Sequence, residues 1–149
     1  RGGSPLQNLI EKEKERTKIS AIQVEEGLDT GDIYLKKDLC LHGSAEEIFL
    51  RARDIIFEDM IPQIIEGNFN LSEQQGEVVE FDRRKPSESE IKKGFDLDKV
   101  FDYIRMLDAE GYPKAFIQYG DLKFEFSDAH RKHGKIVGRV KITEEKSQG

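Results

Sequence analysis

The chain has 149 residues, 36% of them hydrophobic and 36% charged, with a formal net charge of −6. That length supports one modest core plus a small accessory unit, and no run approaches the roughly 18 apolar residues of a transmembrane helix. The one cysteine, Cys40, excludes an internal disulfide and fits a reducing, cytoplasmic setting.

Arg1, Gly2, Gly3, Ser4 and Pro5 open the sequence, and residues 11–16 then alternate in charge without an apolar period, the pattern of a solvated loop or helix edge. Residues 17–24 alternate with β-branched side chains and read as a strand; residues 33–41 read as a second, apolar-rich one. Between them come Gly27, Leu28, Asp29, Thr30, Gly31 and Asp32. The two glycines permit positive φ and close backbone approach. The residues alone leave two readings open: an ordinary Gly-Asp turn, or a loop that lays its N–H and C=O groups against a flat heterocycle while Asp29 faces reacting atoms. Cys40 lies in the second strand run, where a buried structural role competes with that of a nucleophile.

Ser44 and Glu47 form a capping box for the clearest helix, and Ile48, Ala52, Ile55, Ile56, Met60 and Ile64 recur at helical spacing as its core face. Pro62 is expected to kink or restart this helix, and Gly67 with Asn68 to end it. Residues 70–95 form a polar linker with one strand-like run at 77–81, followed by Arg83, Arg84, Lys85 and Pro86. Asp96 caps a last helix with a stripe of Leu97, Val100, Phe101, Ile104 and Leu107, which Gly111, Tyr112 and Pro113 end. Residues 114–119, 122–126 and 135–142 form a small antiparallel unit.

His42 reads as a surface or capping residue, and His130 and His133 have no Cys or His nearby to complete a zinc set, so no metal is expected. Arg131, Lys132, Lys135, Arg139 and Lys141 form a basic strip suited either to tRNA or nucleotide-sugar phosphates or to guarding a strand edge.

Arg1, Gly2, Gly3 and Pro5, then Thr17, Lys18, Ile19 and Ser20, then Glu25 through to Ile33 with Leu28, Asp29 and Gly31, match in order and spacing a known pattern. They resemble the folate-dependent formyltransferases, the family of methionyl-tRNA formyltransferase and the amino-sugar N-formyltransferases. The resemblance implies an active-site loop at Arg1, Gly2, Gly3 and Pro5, a catalytic acid at Asp29, and a pterin ring lying against the backbone of Val24, Glu26 and Leu28. The family's Asn and His, which complete a trio with that acid, sit in an Asn-x-His segment just ahead of the glycine loop. The sequence is therefore expected to be the C-terminal part of a larger enzyme.

The implied fold is α/β. Residues 1–69 would complete a formyltransferase sheet with its covering helix, residues 70–95 would link, and residues 96–149 would form a small α+β domain with antiparallel strands, a reduced form of the family's open barrel. Ile104 and Arg105, with Tyr112, Pro113, Ala115 and Phe116, resemble the segment that opens that domain. The element with Arg83, Arg84 and Pro86 resembles one found in amino-sugar formyltransferases. The implied activity is formyl transfer from 10-formyltetrahydrofolate, a co-substrate, to a primary amine on methionyl-tRNA, in protein biosynthesis, or on a nucleotide-linked amino sugar. Asp29 would take the proton that the attacking nitrogen sheds and orient the His. No membrane partner is implied, and a homodimer is compatible. The alternative is a non-catalytic module for acceptor binding or dimer contact.

Overall fold

A computed structural model of the protein describes residues 2–145. Helix α1 (Pro5–Glu11) starts at Pro5, whose fixed φ suits a first helical turn. Strands β1 (Arg16–Ile22) and β2 (Ile33–Cys40) pair antiparallel, Arg16 opposite Cys40 and Ile22 opposite Ile33, with a register shift at Ala21 and Ile22. One face of this ribbon carries Ile19 and Leu39 into the core. The other is polar: Lys18 meets Asp38 across the strands at 2.7 Å, and that hydrogen bond holds the Asp38 carboxyl below its ordinary range.

The Ser44–Glu47 capping box is formed in both directions at the start of α2 (Ala45–Asp54). The helix widens through a π-helical turn (Ile55–Met60), then continues as α3 (Ile61–Ile65) with Pro62 near its start. Pro62 brings no N–H and crowds the carbonyl four residues back, and a widened turn relieves that clash without breaking the rod. Ile48 and Met60 are buried, and Gly67 ends α3 at φ 75°. Arg51 ties this helix to the strand before it, donating to the Cys40 carbonyl at 2.6 Å. Arg105 donates to the carbonyls of Leu41 and Gly43 from the other side. Cys40 itself is half-buried.

The linker differs from its sequence reading. Residues 77–81 form no strand: Val78 and Val79 are exposed, and the one ladder contact among the described residues is a parallel bridge between Phe81 and Gly2. β-Branched propensity makes a strand only where a partner runs alongside for several residues, and among the described residues the bridge to Gly2 is a single pair. Helix α4 (Leu97–Met106) is capped by the Asp96 side chain as expected, but it ends several residues before Gly111. Its buried face is Tyr103, Ile104 and Met106, followed by Leu107, whereas Leu97 is exposed. Gln7, itself buried, donates to the Met106 carbonyl, one of the acceptors a helix end leaves without an internal partner.

Strands β3 (Ala115–Tyr119), β4 (Leu122–Lys132) and β5 (Lys135–Glu144) form an antiparallel sheet in that order. β4 is six residues longer than its apolar run suggests, reaching a tight turn in which His133 and Gly134 both have positive φ, the signature of a twist-matched hairpin. A bulge between Ser127 and His130 puts Asp128 at φ 50°. Gly138 faces it, and a Cβ there would lie 2.9 Å from the Ser127 carbonyl.

A continuous core joins these pieces: Leu6 and Ile10 of α1, Leu41 after β2, Ile48 of α2, Met106 of α4 and Ala115 of β3. At its rim, residues 11–16 are not simply solvated. The Glu11 carboxylate accepts from the Arg84 guanidinium and, at 2.8 Å, from the Tyr103 hydroxyl. Burial, with the hydrogen bond to Glu11 behind it, pushes the Tyr103 phenol above its usual pKa.

A raised phenol contributes stability that is complete below the unfolded value near 10 and drains away as pH climbs through the folded one. Tyr103→Phe should therefore lose about 1–2 kcal/mol at neutral pH, the worth of a hydrogen bond to a carboxylate. Its urea midpoint should also fall less steeply than the parent's above about pH 10. Parallel declines of the two proteins across that range would refute the assignment.

Candidate functional site

Two glycine-bearing loops meet at one end of the β1–β2 ribbon. In the first, Gly2 has φ 103° and the Gly3 amide donates to the Phe81 carbonyl at 2.8 Å. The linker passes so close that a Cβ on Gly2 would lie 2.2 Å from that carbonyl oxygen, and one on Gly3 would lie 2.5 Å from the Arg83 Cα. Ser4 follows in the left-handed region, and its hydroxyl accepts from the Arg84 amide. The Asn8 amide group, one turn into α1, is shared among the carbonyls of Gly3, Ser4 and Asp82 at 3.0–3.2 Å. Arg1 lies outside the described residues.

In the second loop the Gln23 amide donates to the Asp32 carbonyl at 2.7 Å and closes the turn. Neither Gly27 nor Gly31 supplies the expected positive φ; Asp29 itself does, at 54°. The glycines serve close approach instead: a Cβ on Gly31 would sit 2.0 Å from the Gln23 carbonyl oxygen. Asp is one of the few residues that tolerates the left-handed region, because its short side chain bonds locally or reaches solvent. Here it is exposed. Gln74 of the linker holds the turn, donating to the carbonyls of Asp29 and Gly31 at 2.9 and 2.7 Å.

A hollow of about 450 Å³ lies between the loops, bounded by Gly2, Pro5, Asp29, Gln74 and the β-ribbon residues Lys18 and Lys36. The structure thus brings Gly2 and Pro5 together with Asp29. Val24, Glu26 and Leu28 stand apart from that hollow, on the crest of the turn, with Val24 97% and Leu28 70% exposed. Among the described residues no hydrogen bond engages the backbone of these three. Free amides and carbonyls flanked by bare apolar side chains suit the edge and face of a flat polar ring.

The other candidate groups are occupied or scattered. Arg131 pairs with Asp98 and lies over the Phe101 ring at 4.6 Å, Arg139 pairs with Asp128 at 3.1 Å, and Lys141 lies 4.0 Å from Glu125. Arg131, Arg139 and Lys141 of the basic strip are thus matched by acids from outside it, which its local sequence does not reveal. Among the described residues no three His, Cys, Asp or Glu side chains converge as metal ligands.

The model of the methionyl-tRNA formyltransferase C-terminal domain matches residues 86–143. The methionyl-tRNA formyltransferase from Clostridium thermocellum superposes with a TM-score of 0.93 at 59% identity, over 97% of this chain and 63% of that one. The chain belongs to the formyltransferase family.

A curated formyltransferase relative, the methionyl-tRNA formyltransferase of Dichelobacter nodosus, is 29% identical over 135 residues, which cover 86% of this chain and 42% of that protein. The chain thus spans under half of this relative's length. HypX from Aquifex aeolicus, solved with tetrahydrofolic acid, shares the formyltransferase fold at TM-score 0.65 and 16% identity, over 91% of this chain and 26% of that one.

Within this family member, Asn8, Gln74 and Phe81 hold the two loops, and sequence reasoning passed over all three. Asn8 sits in an ordinary helical position, and Gln74 in a polar run with no period. Only the spacing of Asn8 behind a glycine loop offered a cue, since Asn side chains commonly bond nearby backbone. Asn8→Ala leaves three carbonyls without that donor and should cost about 1–2 kcal/mol. Amide exchange at Gly3 should accelerate roughly tenfold or more in that variant; unchanged protection there would show that Asn8 does not hold the loop.

Proposed function

We propose that the protein acts in formyl transfer from 10-formyltetrahydrofolate to a primary amine, with Asp29 as the proton acceptor. The observation that carries this is the meeting of the glycine loop and Asp29 at one hollow, beside a turn whose backbone at Val24, Glu26 and Leu28 is free to bond a pterin. The likeness to HypX, a protein solved in complex with tetrahydrofolic acid, supports a folate donor.

In this mechanism a neutral amine attacks the formyl carbon. The new C–N bond forms as the carbonyl oxygen takes up negative charge and the nitrogen becomes positive. The Asp29 carboxylate, directly or through a water, draws a proton from that nitrogen. The oxyanion then re-forms the carbonyl, the bond to N10 breaks, and N10 receives a proton as tetrahydrofolate leaves. Donors aimed at the oxyanion come from the Asn-x-His segment that the family resemblance sets ahead of the glycine loop. Exposure of Asp29 on a turn pinned by Gln74 lets a carboxylate reach a bulky acceptor without moving the sheet behind it.

The acceptor in this reading is methionyl-tRNA, which the name of the Clostridium relative supports. The element that suggested an amino sugar is spent on internal contacts: Arg84 is paired with Glu11 and donates to the Glu88 carbonyl.

In the full-length protein, Asp29→Asn should lower kcat about 10²–10³-fold while KM for the folate changes little, because the amide keeps the turn but accepts no proton. Formyl transfer to methionyl-tRNA and to a nucleotide-linked amino sugar, measured side by side, decides the acceptor. Retention of wild-type kcat by Asp29→Asn would remove the catalytic role.

A further inference from the structure

The Asp29 turn is held from outside itself. Asp29 lies in the left-handed region at φ 54°, a conformation that a residue with a Cβ keeps only where its surroundings over-determine it. Two such contacts come from one side chain: the Gln74 amide nitrogen donates to the Asp29 carbonyl at 2.9 Å and to the Gly31 carbonyl at 2.7 Å. The Asp29 carbonyl shares a rigid peptide plane with the Asp29 Cα, so turning that plane turns the direction in which the carboxylate leaves the chain.

Gln74 is itself placed. Two residues earlier, Ser72 exchanges both backbone bonds with Ile33, at 2.8 and 3.1 Å, and Ile33 opens β2 directly after the turn. The linker backbone is clamped to the foot of the turn, and the Gln74 side chain spans the remaining distance. Bonding two carbonyls through one nitrogen needs two N–H bonds on it. Among uncharged side chains only those of Asn and Gln carry them, and Gln is the longer. Gln74 also borders the hollow that Asp29 borders.

We propose that Gln74 is a positioning residue for formyl transfer: through these two carbonyls it aims the Asp29 carboxylate at the nitrogen that must lose its proton. The inference rests on the role of Asp29 as proton acceptor, and it sets a determinant of the chemical step in the linker, 45 residues beyond the acid. A misdirected acid costs rate rather than folate affinity. The backbone of Val24, Glu26 and Leu28, free to bond a pterin, precedes both carbonyls, and Gln74 holds none of the three.

A double-mutant cycle on the full-length protein tests it, read as steady-state formyl transfer from 10-formyltetrahydrofolate to the acceptor that the side-by-side assay selects. Gln74→Met and, separately, Gln74→Glu keep the length of the side chain but offer no N–H. Each should lower kcat roughly tenfold or more, with KM for the folate within about twofold and the circular dichroism spectrum unchanged. On top of Asp29→Asn, the Gln74→Met change should lower kcat by no more than about twofold, since an amide that takes no proton gains nothing from being aimed. Gln75→Met, whose side chain takes no part in either bond, should keep wild-type kcat. Wild-type kcat in both Gln74 variants, a full tenfold loss from Gln74→Met on top of Asp29→Asn, or an equal loss in Gln75→Met would each overturn the positioning role and leave Asp29 as the proton acceptor. Wild-type kcat in Asp29→Asn alone would overturn the role of Asp29 and this proposal with it.

Discussion

The Arg84 guanidinium decides where the linker lies, and the linker decides where the site lies. Arg84 is nearly buried, with 10% of its side chain exposed. It meets the Glu11 carboxylate on one side, the Tyr103 ring at 5.4 Å on another, and the Glu88 carbonyl beyond. Its Nε finds no partner among the described residues. A charge so placed has lost much of its water, so the pair is not a free gain in stability. What it does is make any other path for residues 80–88 costly, because lifting the linker strands Glu11 and Arg84 with too few partners. Helix α1, the linker and α4 are thereby held to a single arrangement.

The loops at the site inherit that arrangement. With Arg84 fixed, its amide reaches the Ser4 hydroxyl, Phe81 lies against Gly2 and Gly3, and the Asp82 carbonyl receives the Asn8 amide. Further up the same strap, Gln74 grips the Asp29 turn and Ser72 exchanges both backbone bonds with Ile33. A segment without regular structure thus positions two loops, and in the first of them the glycines are dictated by how near its backbone comes. Asp29 accepts a left-handed conformation in return for reaching out of the turn.

Local devices were legible in the sequence. Ser44 with Glu47, Asp96 ahead of α4 and the turn at Gly120 act within a few residues, so the chemistry that makes them is visible in a short window. Long-range partners were not. Glu11 read as one charge in an alternating run because its partners, Arg84 and Tyr103, are more than 70 residues away. Residues 77–81 read as a strand because propensity shows what could pair, not how long a ladder forms. The stripe chosen on α4 included Leu97, which is exposed, and missed Met106, which is fully buried, because the direction of the core depends on β3 and α1 rather than on the helix itself. At the candidate site, resemblance pointed to Asp29 and the glycine loop, but not to the side chains that hold them.

A double-mutant cycle on Glu11→Gln and Arg84→Met, read by urea unfolding, tests the strap most directly. Coupling of about 1–3 kcal/mol between the two positions is the predicted result. Additive effects, with no coupling beyond error, would contradict the claim that this pair fixes the linker and, through it, both loops.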